Sequence, residues 1–288
     1  MPLTIKDVAV RAGVSVSTVS RVLTSNAPVQ DTTKRAVEDA IRELGYHPNG
    51  LARSLRNRET KTIGLIIPDV ANPFFPEVAK GVEETACRLG YSVILCNSGN
   101  DRAKEAMYFR VLQERRIDGI IITGSGSLDE YAHLRERDGF PIVFLDRNAE
   151  GLDVDSVEAD SYGGSCQAVR HLLELGHHQI AFVSGSSVTS TGSRRLGGYM
   201  DTLTASGIVP PPDYIMPGDF TLEAGRKAGL RLLGQNPRPT AIFVASDIAA
   251  IGVMMAAESL HLSIPGDLSV EIGRATWRER VYIRVVAV

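Results

Sequence analysis

The chain has 288 residues, more than a single hydrophobic core usually serves, so we expect at least two domains. Its 43% hydrophobic and 23% charged residues are typical of a soluble globular protein. No apolar run approaches the roughly 18 residues of a membrane span, and the N-terminus lacks the pattern of a secretion signal. These features predict a cytoplasmic protein without a membrane partner. The three cysteines, Cys87, Cys96 and Cys166, are too scattered for a disulfide framework or a zinc cluster, and we expect no cofactor or metal.

Charge is distributed unevenly along the chain. Residues 1–61 contain ten Lys and Arg against six Asp and Glu, which leaves 21 against 28 for the remainder. A basic segment attached to an acidic body predicts that only the N-terminal segment meets a polyanion.

The N-terminal segment begins with two predicted helices. Thr4 and Asp7 have the spacing of a capping box, and the helix that follows them ends near Gly13. Ser15 is placed to cap a second helix over residues 16–24. Two short helices separated by a glycine-bearing turn form a helix-turn-helix unit.

A third helix is predicted with Asp31 as its cap and Gly45 as its terminating residue. Its apolar residues keep helical spacing: Ala36, Val37, Ala40, Ile41 and Leu44. Three apolar faces close a small core, so residues 1–46 are predicted to be an all-α helix-turn-helix domain.

Four segments of this region match a known family. They are Thr4-Ile5-Lys6-Asp7-Val8-Ala9, Ala12-Gly13-Val14-Ser15, Thr18-Val19-Ser20-Arg21-Val22-Leu23 and Leu44-Gly45-Tyr46-His47-Pro48-Asn49. These segments closely resemble the lactose-repressor-type regulators, and the resemblance covers residues 3–270. It implies a sequence-specific DNA-binding regulator of transcription, most often a repressor.

The resemblance implies that the second helix enters the major groove with its N-terminal residues at base edges. Val16, Ser17 and Arg21 fall at the base-reading positions. Arg21 has the fork geometry for a guanine edge, and Val16 offers apolar contact to a thymine methyl. The alternative for Arg21 is a solvated surface charge. The other implied DNA-binding positions in this domain are Thr4 and, as phosphate contacts, Ser15, Thr18, Thr24 and Tyr46.

The resemblance implies that residues 47–60 are a hinge and linker. The segment 49–56 is too short to be a stable helix in isolation. In the family this hinge orders on DNA, where a leucine wedges between base pairs in the minor groove. The resemblance places Leu55 at the wedge, Ala52 at a point of close approach, and Asn49 among the DNA-binding residues. The alternative for Leu55 is a linker residue that packs on the body.

From residue 61 onward, short apolar runs alternate with amphipathic stretches. Strands are predicted at 63–67, 93–95, 119–122, 142–145, 180–183 and 241–245, and helices at 77–89, 161–175, 194–206, 222–233 and 247–260. Alternating strands and helices imply parallel sheets covered on both sides. The prediction is an α/β body of two doubly wound lobes, 61–158 and 159–270, which is similar to the periplasmic sugar-binding proteins.

In such sheets ligands bind beyond the carboxyl ends of the strands, where this chain has polar residues. The resemblance places a small-molecule effector, a sugar or sugar derivative, between the lobes. The predicted effector contacts are Asn72, Phe75, Asn97, Asp146, Arg147, Asp160, Arg195, Phe220, Ser246 and Asp247. The resemblance places Asn72-Pro73-Phe74-Phe75 along one wall of the cleft, and the alternative for Phe74 is a core position. The alternatives for Asp160 and Asp247 are helix-capping roles.

The resemblance fails abruptly after Val270. Residues 271–288 contain the only tryptophan of the chain, and their first part resembles the translation of a common sequencing-library adapter. We interpret 271–288 as an artefact of sequence assembly; the alternative is a divergent terminal strand. The second lobe is then expected to be incomplete and the body to fold poorly.

This interpretation predicts three partners: a second copy of the chain, a pseudo-palindromic operator DNA at the nucleoid, and a small-molecule effector. Binding of the effector is expected to move the lobes and so to change the spacing of the two hinges in the dimer. A solute-binding transport component would need a secretion signal and no DNA-binding head. A sugar-processing enzyme would need a clustered acid and base, and the chain has neither a Gly-x-Ser-x-Gly elbow nor a phosphate-binding loop. We therefore expect no enzymatic activity.

Overall fold

The computed structural model describes residues 3–24, 28–46, 59–124, 140–146, 155–185, 189–272 and 281–284. The chain divides into two compact units, and the division falls between Thr60 and Lys61.

The described part of the N-terminal unit has three helices: α1 (Ile5–Ala12), α2 (Val16–Thr24) and α3 (Asp31–Leu44). The predicted capping box is present at the start of α1, and α1 and α3 end at Gly13 and Gly45, whose φ angles of 66° and 60° lie in the left-handed region. Glycine adopts this region without the steric cost of a Cβ, which explains both ends. The predicted cap at Asp31 is wrong by one position, because α3 starts at Asp31 and Gln30 precedes it as the N-cap.

The three helices enclose a small apolar core, as predicted. Val8, Val19 and Val37 are fully buried, and Ala9 and Ala40 pack with them. One valine comes from each helix, so the core fixes the orientation of α2 within the unit and leaves its opposite face uncovered.

The described residues of the body form two sheets. The strands of the first are β1 (Thr62–Ile67), β2 (Ser92–Asn97), β3 (Gly119–Ile122), β4 (Ile142–Leu145), β5 (Asp155–Ala159) and β10 (Val281–Arg284), and its described helices are α4 (Phe74–Arg88) and α5 (Arg102–Glu114). Strands β1 to β5 are parallel and run in the order β2-β1-β3-β4-β5, with the short antiparallel strand β10 on the outer edge of β5.

The described strands of the second sheet are β6 (Ile180–Val183), β7 (Ile215–Met216), β8 (Ala241–Val244) and β9 (Ser269–Ile272). They are parallel and run in the order β7-β6-β8-β9, which repeats the order of the first four strands of the first sheet. Its helices are α6 (Ser161–Glu174), α7 (Ser190–Ala205), α8 (Leu222–Leu233) and α9 (Asp247–Ser259).

Both sheets are covered on both faces, as predicted for parallel strands. In β1, Ile66 packs with Phe109 and Leu112 of α5 on one side, whereas Leu65 and Ile67 pack with Phe75 of α4 on the other. The second sheet likewise borders two separate apolar clusters. The predicted α/β body of two doubly wound lobes is confirmed.

The C-terminal segment contributes to both sheets. Strand β9 continues two residues beyond Val270, to Ile272, and pairs with β8 along its length. Residues 281–284 form β10, which pairs with residues 156–159 of β5. The interpretation of 271–288 as an artefact stays a prediction. Among the described residues, no helix has the length and apolar character to cross a membrane.

Candidate functional sites: a DNA-reading face and a ligand cleft

Helix α2 displays the predicted base-reading residues. Val16, Ser17 and Arg21 are exposed, whereas Val19 on the opposite face is fully buried. Val16 keeps 40% of its surface accessible although it is aliphatic. The uncovered face of α2 therefore carries an apolar group, a hydroxyl and a guanidinium side by side.

Hydroxyl groups cluster at the N-terminus of α2. The Oγ of Ser15 lies 2.8 Å from both the Oγ of Ser17 and the Oγ1 of Thr18, and it accepts a hydrogen bond from the Thr18 backbone N–H at 3.2 Å. The positive end of the helix dipole lies at the same place. Hydroxyl donors at a positive helix end suit phosphate oxygens.

The other predicted DNA-binding residues have different surroundings. The Thr4 hydroxyl donates to Asp7 Oδ2 at 2.7 Å, and this bond lowers the pKa of the Asp7 carboxyl. Tyr46 is half-buried against the core of the unit. The side chain of Thr24 and the residues Asn49, Ala52 and Leu55 lie outside the described part of the chain.

The body has a cleft at the carboxyl ends of strands from both sheets, which is where the sequence predicts the ligand. The cleft is lined by seven of the ten predicted effector contacts: Asn72, Phe75, Asp146, Arg195, Phe220, Ser246 and Asp247. Two carboxylates, an amide, a hydroxyl, a guanidinium and two aromatic rings therefore line one space.

Arg195 is held firmly in the wall of the cleft. It is only 5% exposed, and its Nη1 donates to the backbone oxygen of Ala245 at 3.0 Å. The guanidinium carbon lies 5.6 Å from the centroid of the Phe220 ring, within cation–π range. The Ser165 hydroxyl donates to the Arg195 backbone oxygen at 2.6 Å. The guanidinium is thus oriented before any ligand arrives.

Three non-glycine residues of the cleft have positive φ angles. They are Asn100, Asp146 and Phe220, at 59°, 63° and 65°. Asparagine and aspartate tolerate this region better than other non-glycine residues, whereas a bulky phenylalanine is strained there. The Phe220 ring lies directly against Gly185, where a Cβ would come within 1.8 Å of the ring. The missing side chain at Gly185 therefore makes room for Phe220.

An ion pair joins the first sheet to the second lobe. The buried Glu158 of β5 accepts from Arg194 Nη1 at 2.5 Å, and its other carboxylate oxygen accepts from the Ser156 hydroxyl at 3.3 Å. Arg194 precedes Arg195 in α7, so the ion pair ties the helix that carries Arg195 to the first sheet.

Two predicted effector contacts point elsewhere. Asn97 Oδ1 accepts from the Val70 backbone N–H at 3.3 Å, and Asp160 Oδ1 accepts from the Gly163 N–H at 2.8 Å as the N-cap of α6. Neither lines the cleft, and Asp160 has the alternative capping role. Arg147 lies outside the described residues. The capping alternative for Asp247 is wrong, because Ser246 is the N-cap of α9.

Pro73 and Phe74, which the resemblance also places on this wall, line the cleft. Phe74 in addition packs edge-to-face on Phe75, with ring centroids 5.0 Å apart. The cleft also includes residues that were not predicted as effector contacts: Pro68, Asp69, Asn100, Thr191, Asp219, Thr221 and Ala245. Asp69 follows a predicted strand, so the strand-end rule identifies its position. Asp219 and Thr221 follow the two-residue strand β7, which gives no recognisable signal. In the part of the chain that the structure describes, no three His, Cys, Asp or Glu side chains are grouped to hold a metal ion.

A helix-turn-helix unit joined to a two-lobed body with a polar cleft defines a class of ligand-responsive, DNA-binding regulators. Residues 4–49 match the family of bacterial regulatory proteins of the lacI family. Residues 60–275 match the periplasmic binding proteins and sugar binding domain of the LacI family, five residues beyond the last sequence motif at Val270. The chain belongs to the LacI family of bacterial regulatory proteins.

Relatives and solved structures agree with this assignment. The HTH-type transcriptional repressor PurR of Edwardsiella ictaluri is 39% identical over 275 residues, which are 93% of this chain and 79% of that repressor. The catabolite control protein A of Priestia megaterium is 36% identical over 271 residues, covering 94% and 82% of the two chains. Like these relatives, the chain is a DNA-binding transcription regulator and not an enzyme.

The fold is similar to that of the lac repressor dimer bound to operator and the anti-inducer ONPF, with a TM-score of 0.84, 30% identity, and coverage of 94% of this chain and 82% of that one. The complex of the transcriptional regulator CelR with cellobiose has a TM-score of 0.68 and 30% identity, with coverage of 93% and 81%.

Proposed function

We propose that the chain acts in the cytoplasm as a homodimeric repressor that binds a pseudo-palindromic operator at the nucleoid. Its affinity for that operator is set by a sugar or sugar derivative bound in the cleft between the lobes. The cleft is the observation that carries the proposal, because hydrogen-bonding groups and aromatic rings from both lobes converge there.

The chemistry of the cleft suits a polyhydroxylated ring. Asp146 and Asp247 accept from hydroxyl groups, and the Arg195 guanidinium donates to ring or hydroxyl oxygens. Phe75 and Phe220 offer apolar surface to the carbon skeleton. CelR, which is similar in fold, is known as a complex with cellobiose, and this supports the proposed class of effector.

Because the lining residues come from both lobes, an effector bridges them. A ligand that binds one arrangement of the lobes more tightly shifts the population toward that arrangement. In the proposed mechanism this shift changes the separation of the two hinge segments, 47–60, in the dimer and so changes operator affinity.

On the DNA side, α2 is proposed to enter the major groove with Val16, Ser17 and Arg21 at the base edges. The exposure of all three supports this role. Leu55 of the hinge is proposed to wedge into the minor groove and bend the duplex. The lac repressor, whose fold is similar, binds its operator as a dimer.

For the subunit contact we propose the outer face of α9. Ile251, Met254 and Met255 are adjacent on this helix face and keep 45%, 46% and 44% of their surfaces exposed. A contiguous apolar surface of this kind is typical of an interface. Met255→Glu should therefore shift the protein toward monomer in light scattering, whereas an unchanged dimer mass would place the contact elsewhere.

One experiment tests the effector site and the regulator together. Operator fragments are first selected from genomic DNA with the purified protein, and their binding is then measured by fluorescence anisotropy with and without each member of a sugar panel. We expect at least one sugar to change operator affinity, in either direction, and Asp247→Asn to weaken that response. A panel that leaves operator affinity unchanged, while the operator itself is bound, would contradict the proposed class of effector.

A further inference from the structure

Among the described residues that line the cleft, acidic side chains outnumber basic ones. Four carboxylates belong to this described lining, from Asp69, Asp146, Asp219 and Asp247. Among the described lining residues, Arg195 is the cationic side chain that faces them. The carboxylates come from both lobes, so a ligand that contacts both lobes meets them whatever its orientation.

Arg195 does not make the cleft an anion site. Its Nη1 already donates to the Ala245 backbone oxygen, and its guanidinium lies over the Phe220 ring. These contacts aim the guanidinium along the cleft wall. One guanidinium so placed is outnumbered by the carboxylates around it, so the net field favours neutral or positive groups.

Side chains of the protein itself cap the N-termini of three helices at the cleft. A helix N-terminus normally attracts anions through its unpaired N–H groups and its dipole. Here Asn72 accepts from the Phe74 N–H of α4 at 3.2 Å, Thr221 accepts from the Ala224 N–H of α8 at 3.2 Å, and Ser246 accepts from the Ala249 N–H of α9 at 3.3 Å.

Two of these helices, α8 and α9, also have a carboxylate near their N-terminus. Asp219 lies just before α8 and accepts from the Thr221 N–H at 3.0 Å, and Asp247 is the first residue of α9. A negative side chain thus lies near the N-terminus of each of these two helices, where it opposes the approach of a phosphate group. Each capping side chain also satisfies one of the N–H groups at its helix end.

We infer that the effector carries no negative charge: the cleft takes a neutral or amino-substituted polyhydroxyl ligand and excludes sugar phosphates, sugar acids and nucleotides. This inference rests on the proposed function, in which the cleft binds the effector. Like charges brought together in a partly dehydrated site lower affinity by about 100-fold or more. The charge of the cleft therefore selects among ligands that have the same ring and hydroxyl pattern.

The test is isothermal titration calorimetry of the full chain with matched series of probes. The series are D-glucose, D-glucosamine, D-glucuronate and D-glucose 6-phosphate; D-ribose and D-ribose 5-phosphate; and inosine and inosine 5′-monophosphate. In every series that binds, we expect the neutral or amino member to bind at least about 100-fold more tightly than the anionic member. An anionic member that binds as tightly as its neutral counterpart overturns the inference and leaves the sugar-binding function standing. Binding by no member of any series overturns both.

Variants that remove charge test whether the cleft carboxylates cause the discrimination against anionic ligands. Asp219→Asn combined with Asp247→Asn keeps both side chains as acceptors but removes two charges, so discrimination against the phosphate should fall at least about 10-fold. Asp213→Asn is the matched control, because Asp213 is an exposed aspartate of the same lobe outside the cleft. Discrimination that is unchanged in the double variant, or that falls equally in the control, overturns the assignment of charge selection to the cleft carboxylates.

Discussion

Replacing Gly185 with alanine would place a methyl group inside the space of the Phe220 ring. A Cβ on Gly185 would lie 1.8, 2.0 and 2.6 Å from the ring carbons Cζ, Cε1 and Cε2. Non-bonded carbon atoms pack at about 3.5–4.0 Å, so the ring must retreat by roughly 1.5–2 Å. Because the ring also contacts the Arg195 guanidinium, its movement disturbs a second cleft residue.

Overpacking of this kind costs about 1–3 kcal/mol, so Gly185→Ala should lower the free energy of unfolding of the body by about 2 kcal/mol. Chemical denaturation followed by circular dichroism measures the change. Gly81→Ala is the control, because no atom outside the local helix lies within 4 Å of a Cβ at this position of α4. There the substitution should be neutral, or stabilising by up to about 1 kcal/mol through helix propensity.

A double-mutant cycle separates the ring contact from other causes. In a Phe220→Ala background the clash disappears, so the cost of Gly185→Ala should fall below about 0.5 kcal/mol. An equal loss of unfolding free energy in both backgrounds would refute the argument that a residue without a side chain is needed at position 185 to accommodate the Phe220 ring.

Three further predictions concern the DNA-reading face and two local structures. Arg21→Ala should relax the sequence preference of DNA binding by about 1–3 kcal/mol at one base pair. Arg42→Ala, which removes the same charge from α3, should leave the preference unchanged. Competition between operator and scrambled DNA measures both effects. His177 bonds Thr240 Oγ1 at 3.0 Å and Ser269 Oγ at 2.9 Å, so His177→Ala should destabilise the body by about 1–2 kcal/mol in urea titration, and a loss below the error of the titration would refute its role. The pKa of Asp7 is lowered from 3.8 by its bonds from Thr4, so its stabilising effect is present above pH 3.8 and is lost as the pH falls through the lower folded value. Acid titration of helical circular dichroism should then show a smaller loss in Asp7→Asn than in the wild type, and equal losses would contradict this.

The sequence predicts a helix or strand correctly where its capping residues, glycines or apolar spacing are typical of that element. The capping residues and glycines of α1 and α3 define these helices almost to the residue, and the apolar runs define β3, β4 and β6. Strand β5 has the sequence Asp-Ser-Val-Glu-Ala, which lacks an apolar face because its inward residues are Ser156 and Glu158. The ion pair with Arg194 and the hydrogen bond from the Ser156 hydroxyl stabilise that buried glutamate. Neither interaction can be predicted from the residue pattern of the strand.

The candidate cleft is predictable where a residue directly follows a well-formed strand. Asp146 and Asp247 are found in this way because β4 and β8 are strong apolar runs. The rule fails for Asn97, whose amide oxygen instead bonds the Val70 N–H, since the sequence does not specify the direction of a strand-end side chain. It also fails for Asp219 and Thr221, which reach the cleft only because tertiary pairing with β6 creates the short strand β7.

Genome-wide mapping of bound DNA tests the proposal that α2 recognises a specific operator sequence through Arg21. We expect a small number of enriched sites that share a two-fold-related sequence, and a loss of that enrichment in Arg21→Ala at equal protein level. Uniform binding across the genome, or enrichment that persists in Arg21→Ala, would show that α2 does not select the operator in this way.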